Sequence, residues 1–82
     1  MYSIKFSKTA ERQLYKLEKN TQSRIISALE RIRTRPEAFV TKLIGETAYK
    51  FRAGDYRIIM DIKHDELLIL VIKIGHRKNY YG

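Results

Sequence analysis

Hydrophobic and polar residues alternate over residues 2–7, at the start of the chain. Tyr2, Ile4 and Phe6 share one side and the polar residues between them share the other, which is the period of a half-buried β-strand. Ser7 predicts a helix N-cap at the end of this strand, because its hydroxyl oxygen can accept a hydrogen bond from a backbone N–H of the first turn. The pattern therefore predicts a strand that leads directly into a helix.

The segment that follows repeats apolar residues every three or four positions, which is the period of amphipathic helices. A first helix is predicted over residues 8–19. A second is predicted to begin at a cap residue, Asn20 or Thr21, and to end before Arg35 and Pro36, because a residue before proline is disfavoured in a helix. The short connection predicts a helical hairpin. The positions predicted to face the core are Ala10, Leu14, Leu17, Ile25, Ala28, Leu29 and Ile32.

Three strand-like runs occupy the second half of the chain, over residues 47–53, 55–63 and 66–77. The residues between them have the length and composition of tight hairpin loops, so the three strands should form an antiparallel meander. The predicted order is β-α-α-β-β-β in one domain of residues 1–82. This is an α+β fold in which the helical hairpin packs on one face of a small, mainly antiparallel, twisted sheet and leaves part of the other face open.

The period of two along the predicted strands places several cations on one face of the sheet. Lys50 and Arg52 share a face, and Arg57 joins them across the first hairpin. In the last strand, Lys73 and Arg77 lie on the face opposite Ile72 and Ile74, and the antiparallel course brings Arg77 back toward Arg57. Cations gathered on an open face repel one another unless an anion binds, which favours phosphate as a ligand. Ordinary exposed residues of a basic protein are the alternative.

The overall charge points to the same class of partner. Seventeen Lys and Arg residues against nine Asp and Glu residues give a formal charge of +8 in 82 residues, which indicates a polyanion such as nucleic acid. The chain has no cysteine, which fits a reducing, cytoplasmic location. The longest apolar run, residues 67–72, is too short to span a bilayer, and the N-terminus lacks the apolar core of a signal peptide, so no membrane association is predicted.

Several other chemistries are disfavoured by the placement of acidic residues and histidines. Asp55, Asp61 and Asp65 fall in turns or singly on strands, with no spacing typical of a shared metal ion. His64 belongs to a predicted turn and His76 to a strand end, too far apart for a two-histidine nuclease mechanism. The sequence therefore predicts neither a metal site nor a cofactor.

Two motifs resemble a known family. The run YKFRAGDYRI of residues 49–58 and the closing IGHRKNYY of residues 74–81, in this order of elements, resemble the RelE/ParE superfamily of prokaryotic toxin–antitoxin toxins. The resemblance covers nearly the whole chain. It implies a RelE-type messenger-RNA interferase, which enters the A site of the 30S ribosomal subunit and cleaves mRNA by attack of a ribose 2′-hydroxyl on the adjacent phosphate. It also implies a cognate RelB-like antitoxin of a type II system, and neither metal nor cofactor.

The resemblance also implies roles for the open-face cations. Lys50 resembles the general-base lysine, and Arg52 stands where the family has a second basic residue, often lysine. Arg57 resembles the arginine that stabilises the phosphorane, and Arg77 the strand-end arginine that assists the leaving oxygen.

A C-terminal tyrosine that stacks on a base would be Tyr80 or Tyr81, and the sequence does not choose between them. Further RNA contacts are predicted for Lys73, His76, Lys78, Arg24, Arg31 and Arg35, of which the last three form a stripe on the second helix. A solvated helix face is the alternative for this stripe.

Two other functions compete with RNA cleavage. The same superfamily contains ParE-like inhibitors of DNA gyrase, which lack the basic catalytic set, so the fold alone does not assign the activity. A noncatalytic nucleic-acid-binding or regulatory module is the third possibility. The cations at positions 50, 52, 57 and 77 favour RNA cleavage.

Overall fold

The computed structural model describes residues 1–80, with side chains up to Lys78. Its elements are β1 Ser3–Phe6, α1 Lys8–Tyr15, α2 Lys19–Arg31, a short 3-10 helix Pro36–Ala38, β2 Thr41–Lys42, β3 Tyr49–Ala53, β4 Tyr56–Lys63, β5 Leu68–His76 and α3 Arg77–Tyr80. The α+β class and the predicted order are confirmed, with β2 and the two short helices as additions. In this part of the chain, each helix is too short or too polar to cross a membrane.

The strands form one sheet in the order β1-β5-β4-β3-β2. β1 pairs with β5 in parallel, and the other neighbouring strands are antiparallel, so the sheet is mixed but mainly antiparallel, as predicted. Ser7 links β1 to α1 because its side chain caps the helix and accepts a hydrogen bond from the backbone N–H of Ala10 at 3.0 Å. The same hydroxyl donates to the carbonyl of Ile72 at 2.8 Å, which ties the start of α1 to β5.

The turn between the helices differs from its prediction. α1 ends at Tyr15 rather than at residue 19, and α2 begins at Lys19 after Glu18, so neither Asn20 nor Thr21 is the cap. Gln22 explains this boundary, since its side-chain amide donates to the carbonyl of Leu17 at 2.8 Å and satisfies a backbone acceptor in the turn.

The hydrophobic core lies between the helical hairpin and one face of the sheet. Ile25 and Leu29 of α2 are each 1% exposed, and they belong to one buried cluster with Ile58, Met60 and Ile69 of the sheet. Burial of side chains of this size stabilises a fold by about 1.5–3 kcal/mol each. The core positions predicted on the helices are buried, except Leu17, which is half-buried at the edge of the cluster.

A β-bulge in β5 changes the face of one predicted residue. Ile59 pairs with Lys73 but Met60 pairs with Val71, so Ile72 is the extra residue of β5. Ile72 is 36% exposed instead of sharing the buried face with Ile74. The prediction for Ile72 is therefore wrong, because strict alternation cannot continue through a bulge.

The strand ends also differ from the predicted bounds. β3 begins at Tyr49 rather than at residue 47, and β5 begins at Leu68 rather than at residue 66. The β4–β5 turn is longer than predicted, since the N–H of Glu66 donates to the carbonyl of Lys63 and Leu67 adopts a φ of 50°. At the other end, β5 stops at His76, so that Arg77 is helical.

Candidate functional site

The face of the sheet turned away from the helices carries the cations of β3 and β4. Phe51 and Ile58 are buried in the core, so the residues next to them along each strand point to the open face. Lys50 and Arg52 of β3 and Arg57 of β4 therefore share this face, as the sequence predicts.

One row of this face sets two arginines against each other. Arg52 lies opposite Arg57, which in turn lies opposite Gly75 of β5. Residues directly opposite in an antiparallel pair have Cβ atoms about 4.5–5.5 Å apart, and like charges there destabilise the sheet. Gly75 has no side chain to cover the guanidinium groups. The row can therefore receive an anion from the open side, and a bound anion would offset the repulsion.

The neighbouring row has an apolar residue at its centre. Lys50 lies opposite Ile59, and Ile59 lies opposite Lys73 of β5. Ile59 is 7% exposed, Lys50 is half-buried and Lys73 is exposed. Apolar surface lowers the local dielectric constant, so a phosphate held between these lysines would interact with them more strongly than in bulk water. We call Lys50, Arg52, Arg57 and Lys73 the open-face cluster.

The members of the open-face cluster differ in exposure. Arg57 is half-buried, whereas Arg52 is exposed and its Nε donates to the carbonyl of Gly54 at 3.3 Å. Farther along β4 on the same face, Lys63 lies 4.0 Å from the carboxylate of Asp61. An acidic neighbour partly neutralises Lys63, so the positive charge of this face is greatest at the β3–β4 end.

Arg77 lies beside the site, but in a helix rather than in the last strand as predicted. It is the first residue of α3, so the prediction of a strand residue in line with Lys73 is wrong. Its backbone N–H donates to the carbonyl of Asp55 at 2.8 Å, which holds the start of α3 beside the β3–β4 turn. This contact brings Arg77 next to the beginning of β4, as the antiparallel course of the strands predicts.

His76 lies on the helix side of the sheet. It pairs in register with Tyr56, and the two rings meet edge to face with their centroids 5.2 Å apart. The backbone N–H of Lys78 donates to Nδ1 of His76 at 3.1 Å. His76 therefore contacts α3 through Lys78 and does not face the open-face cluster.

Two grooves on the helix side meet at Tyr56 and His76. A groove of about 1070 Å³ lies between α2 and the β3–β4 turn, and a second of about 660 Å³ lies between α1 and the end of β5. Arg24 and Arg31 line the larger groove with the half-exposed ring of Phe39. The predicted stripe is thus divided, because Arg35 is exposed in the loop after α2 and does not line the groove.

Three predicted contact residues belong to the C-terminal segment. Lys78 is an exposed residue of α3. The side chain of Tyr80, and Tyr81 as a whole, lie outside the described residues, so the choice between the two tyrosines stays a prediction. Within the described residues, no three His, Asp or Glu side chains are grouped as a metal ion would require.

A polar cluster that sequence reasoning missed lies at the opposite end of the β4–β5 hairpin. The hydroxyl of Tyr2 is 2.8 Å from Nδ1 of His64, which is 3.0 Å from a carboxylate oxygen of Glu37. Burial, and then the nearby carboxylate of Glu37, raise the pKa of the Tyr2 hydroxyl above its usual value. These residues are far apart in sequence and follow no shared motif, so only the fold brings them together.

The fold has counterparts among known proteins. A RelE-like toxin protein of Escherichia coli is 29% identical over 80 residues, which cover 94% of this chain and 84% of the relative. The RelBE2 toxin–antitoxin complex of Mycobacterium tuberculosis contains a chain that superposes with a TM-score of 0.85 at 24% identity, covering 93% of this chain and 98% of that one. The archaeal RelE–RelB complex of Pyrococcus horikoshii gives a TM-score of 0.77 at 29% identity, covering 93% and 94%.

The family itself is shown by a model that spans almost the entire sequence. The model described as the ParE toxin of the type II toxin–antitoxin system, parDE, matches residues 4–81. The match includes both motifs and runs from the second residue of β1 through α3. The chain therefore belongs to the RelE/ParE superfamily of type II toxin–antitoxin toxins.

Proposed function

We propose that this toxin is a ribosome-dependent endoribonuclease that cleaves mRNA in the A site of the 30S subunit and thereby inhibits translation. The observation that carries the proposal is the open-face cluster, in which register sets Arg52 against Arg57 and Lys50 and Lys73 on either side of Ile59. Such a cluster is costly to the isolated fold and suits a phosphate backbone.

The proposed reaction begins at the ribose next to the scissile phosphate. Lys50, in its neutral amine form, accepts the proton of the 2′-hydroxyl, and the 2′-oxygen attacks phosphorus. The bond from phosphorus to the 5′-oxygen breaks, which leaves a 2′,3′-cyclic phosphate on one fragment and a 5′-oxyanion on the other, and the oxyanion takes a proton from water to become a 5′-hydroxyl. Arg57 and Arg52 stabilise the charge that builds up on the phosphoryl oxygens, because cations placed beforehand need no reorganisation during the step.

The remaining roles belong to the C-terminal segment and to further basic residues. Arg77, held beside the β3–β4 turn through its backbone bond to Asp55, stabilises the leaving 5′-oxygen. Tyr80 or Tyr81 stacks on an unpaired base, which contributes about 1–3 kcal/mol without demanding a particular sequence. Lys73 and Lys78 contact RNA backbone beside the site, and Arg24, Arg31 and Arg35 contact it farther away, from α2 and the loop that follows.

The proposed partners are a cognate RelB-like antitoxin and the ribosome. The solved relatives from Mycobacterium tuberculosis and Pyrococcus horikoshii are toxin–antitoxin complexes, which supports an antitoxin for this chain. The formal charge of +8 favours rapid association with an acidic antitoxin segment and with ribosomal RNA. These partners fit a cytoplasmic location.

Inhibition of DNA gyrase is the second candidate, and a specific observation favours it. The family model that matches the chain is described as a ParE toxin. If the protein inhibits gyrase, the open-face cluster has no catalytic role. The protein would then leave mRNA intact, and variants that lack the cluster cations would still inhibit supercoiling. The presence of four cations at the predicted catalytic positions favours RNA cleavage over this alternative.

The experiment that separates the two functions adds the purified protein to a translating extract and maps mRNA 5′ ends by primer extension. We expect new ends at A-site codons, and none when the same mRNA is incubated without ribosomes. A gyrase supercoiling assay runs in parallel. Intact mRNA during active translation would contradict the proposal, and inhibited supercoiling would then establish the second candidate.

A further inference from the structure

The position of Arg77 depends on the junction between β5 and α3, here called the joint, rather than on strand pairing in the sheet. β5 ends at His76 and α3 begins at Arg77, so strand pairing does not extend to the arginine. Two hydrogen bonds hold the joint: the N–H of Arg77 donates to the carbonyl of Asp55 at 2.8 Å, and that of Lys78 donates to Nδ1 of His76 at 3.1 Å. A change at either bond can move the first turn of α3.

The bond to His76 requires the neutral form of the imidazole. A neutral ring with its proton on Nε2 has a lone pair on Nδ1, which can accept from the Lys78 amide. A protonated ring carries hydrogens on both nitrogens, so Nδ1 faces the amide with a hydrogen and the bond is lost. The charge of a histidine ordinarily changes between about pH 5 and 8.

The surroundings of His76 are mainly basic. The charged and titratable residues that line the two grooves with it are Lys16 of α1, Arg24 and Arg31 of α2, Arg52 of β3, Asp55 of the β3–β4 turn, Tyr56 of β4 and Lys73 of β5. Arg77 and Lys78 follow it directly in the chain. A protonated ring would add a positive charge to this group, in which Asp55 is the one acid among the lining residues described.

We propose that His76 is a positioning residue whose neutral side chain holds the first turn of α3 beside the β3–β4 turn, and whose protonation releases this turn. The ring is fixed from the other side by its edge-to-face contact with Tyr56, so Nδ1 is presented in one orientation. The consequence for catalysis rests on the proposed function: release moves Arg77 away from the phosphate and slows cleavage. This toxin then becomes less active in acid than its chemistry alone requires.

Two substitutions separate the hydrogen bond from the ring. His76→Asn places an amide oxygen where Nδ1 lies and accepts from the N–H two residues ahead, as asparagine does in turns, at any pH. His76→Phe keeps an aromatic edge against Tyr56 but cannot accept the bond. His64→Phe is the matched control, because His64 lies at the other end of the β4–β5 hairpin.

The first readout follows the Lys78 amide by NMR in the full-length, ¹⁵N-labelled toxin between pH 5 and 8.5. In the wild type and in His64→Phe, we expect its chemical shift to titrate together with the His76 ring. In His76→Asn it should stay at the bonded value, and in His76→Phe at the released value, throughout. A wild-type Lys78 amide that does not respond when His76 titrates would overturn the proposal.

The second readout is single-turnover cleavage of mRNA in preassembled ribosome complexes over the same pH range. The acid dependence of the chemistry is common to all variants, so the rate of the wild type is divided by that of His76→Asn at each pH. This ratio should decrease as the pH is lowered. His76→Phe should lower the maximal single-turnover rate at pH 8 by about 10- to 100-fold, with little change in the toxin concentration that gives half of this rate. Cleavage by His76→Phe at the wild-type rate would contradict the positioning role. If the Lys78 amide behaves as expected but neither the wild type nor any variant cleaves mRNA, the role of His76 at the joint is supported and the proposed function fails.

Discussion

The half-buried side chain of Tyr2 joins three distant segments of the chain. Its hydroxyl lies 2.8 Å from Nδ1 of His64, and the carboxylate of Glu37 reaches the same nitrogen at 3.0 Å. The backbone of Tyr2 is held as well, since Nε of Arg33 donates to its carbonyl at 2.8 Å. β1 is an edge strand that pairs with β5 alone among the described strands, so these contacts help to fix its start.

The raised pKa of Tyr2 makes this contribution dependent on pH. Burial and the Glu37 carboxylate favour the neutral hydroxyl in the folded state. Its stabilising effect is therefore present below the pKa of the unfolded tyrosine, about 10, and is lost as the pH rises through the higher folded value. We expect the free energy of unfolding of the wild type to exceed that of Tyr2→Phe at pH 9, and the difference to shrink by pH 11.

Urea denaturation of both proteins at several pH values measures this difference. The contributions of the other titrating groups are common to both proteins and cancel in the difference. Tyr15→Phe is the control, because Tyr15 is 67% exposed on α1. A difference between the wild type and Tyr2→Phe that stays constant from pH 9 to 11 would show that the Tyr2 hydroxyl is not stabilised in its neutral form.

At the scale of the elements, the β4–β5 turn contains a strained residue. Leu67 has a φ of 50°, in the left-handed region that residues with a Cβ atom rarely adopt, and its side chain is 48% exposed. Its carbonyl accepts from the N–H of Ser3 at 2.8 Å, so Leu67 contributes to the pairing of β1. The left-handed conformation costs about 1–2 kcal/mol for such residues, whereas asparagine tolerates it.

Leu67→Asn should therefore raise the free energy of unfolding by about 1 kcal/mol. Leu67→Ala is the control, because it removes the same apolar side chain but retains the penalty. Urea denaturation of both variants at neutral pH gives the comparison. If the asparagine variant is no more stable than the alanine variant, the turn is not strained in the way its dihedral angle indicates.

The elements also show what periodicity can and cannot predict. The order of the main helices and strands follows from apolar spacing, because a core that excludes water requires one buried face for each element. β2 was not predicted, because Thr41 and Lys42 are both exposed and two residues cannot show an alternation of buried and exposed positions. The bulge at Ile72 and the end of β5 at His76 are set by contacts with β4 and with Asp55, which the local sequence does not display.

The candidate site was predictable to the same degree. Lys50, Arg52 and Arg57 lie on regular stretches of strand, so their common face followed from the period of two. Arg77 follows the last strand residue, and its position depends on hydrogen bonds between distant segments. The role of His76 at this joint could not be read from its strand parity, which indicates only that it faces away from the open-face cluster.

At the scale of the whole molecule, the two faces of the sheet make different contributions to stability and function. One face packs against the helical hairpin and contributes the buried core, while the other carries the open-face cluster. The stability of the buried face allows the open face to hold like charges close together. Removal of one cluster cation should therefore lower cleavage without unfolding the protein.

The most direct test of the account is the single-turnover rate of mRNA cleavage in a preassembled ribosome complex by Lys50→Met. This change keeps an unbranched side chain but removes the amine that accepts the 2′-hydroxyl proton, so the rate should fall by about 10²-fold or more. Lys63→Met, on the same face but beside Asp61, is the matched control and should cleave at nearly the wild-type rate. Equal rates for Lys50→Met and the wild type would contradict the claim that the open-face cluster is the catalytic centre.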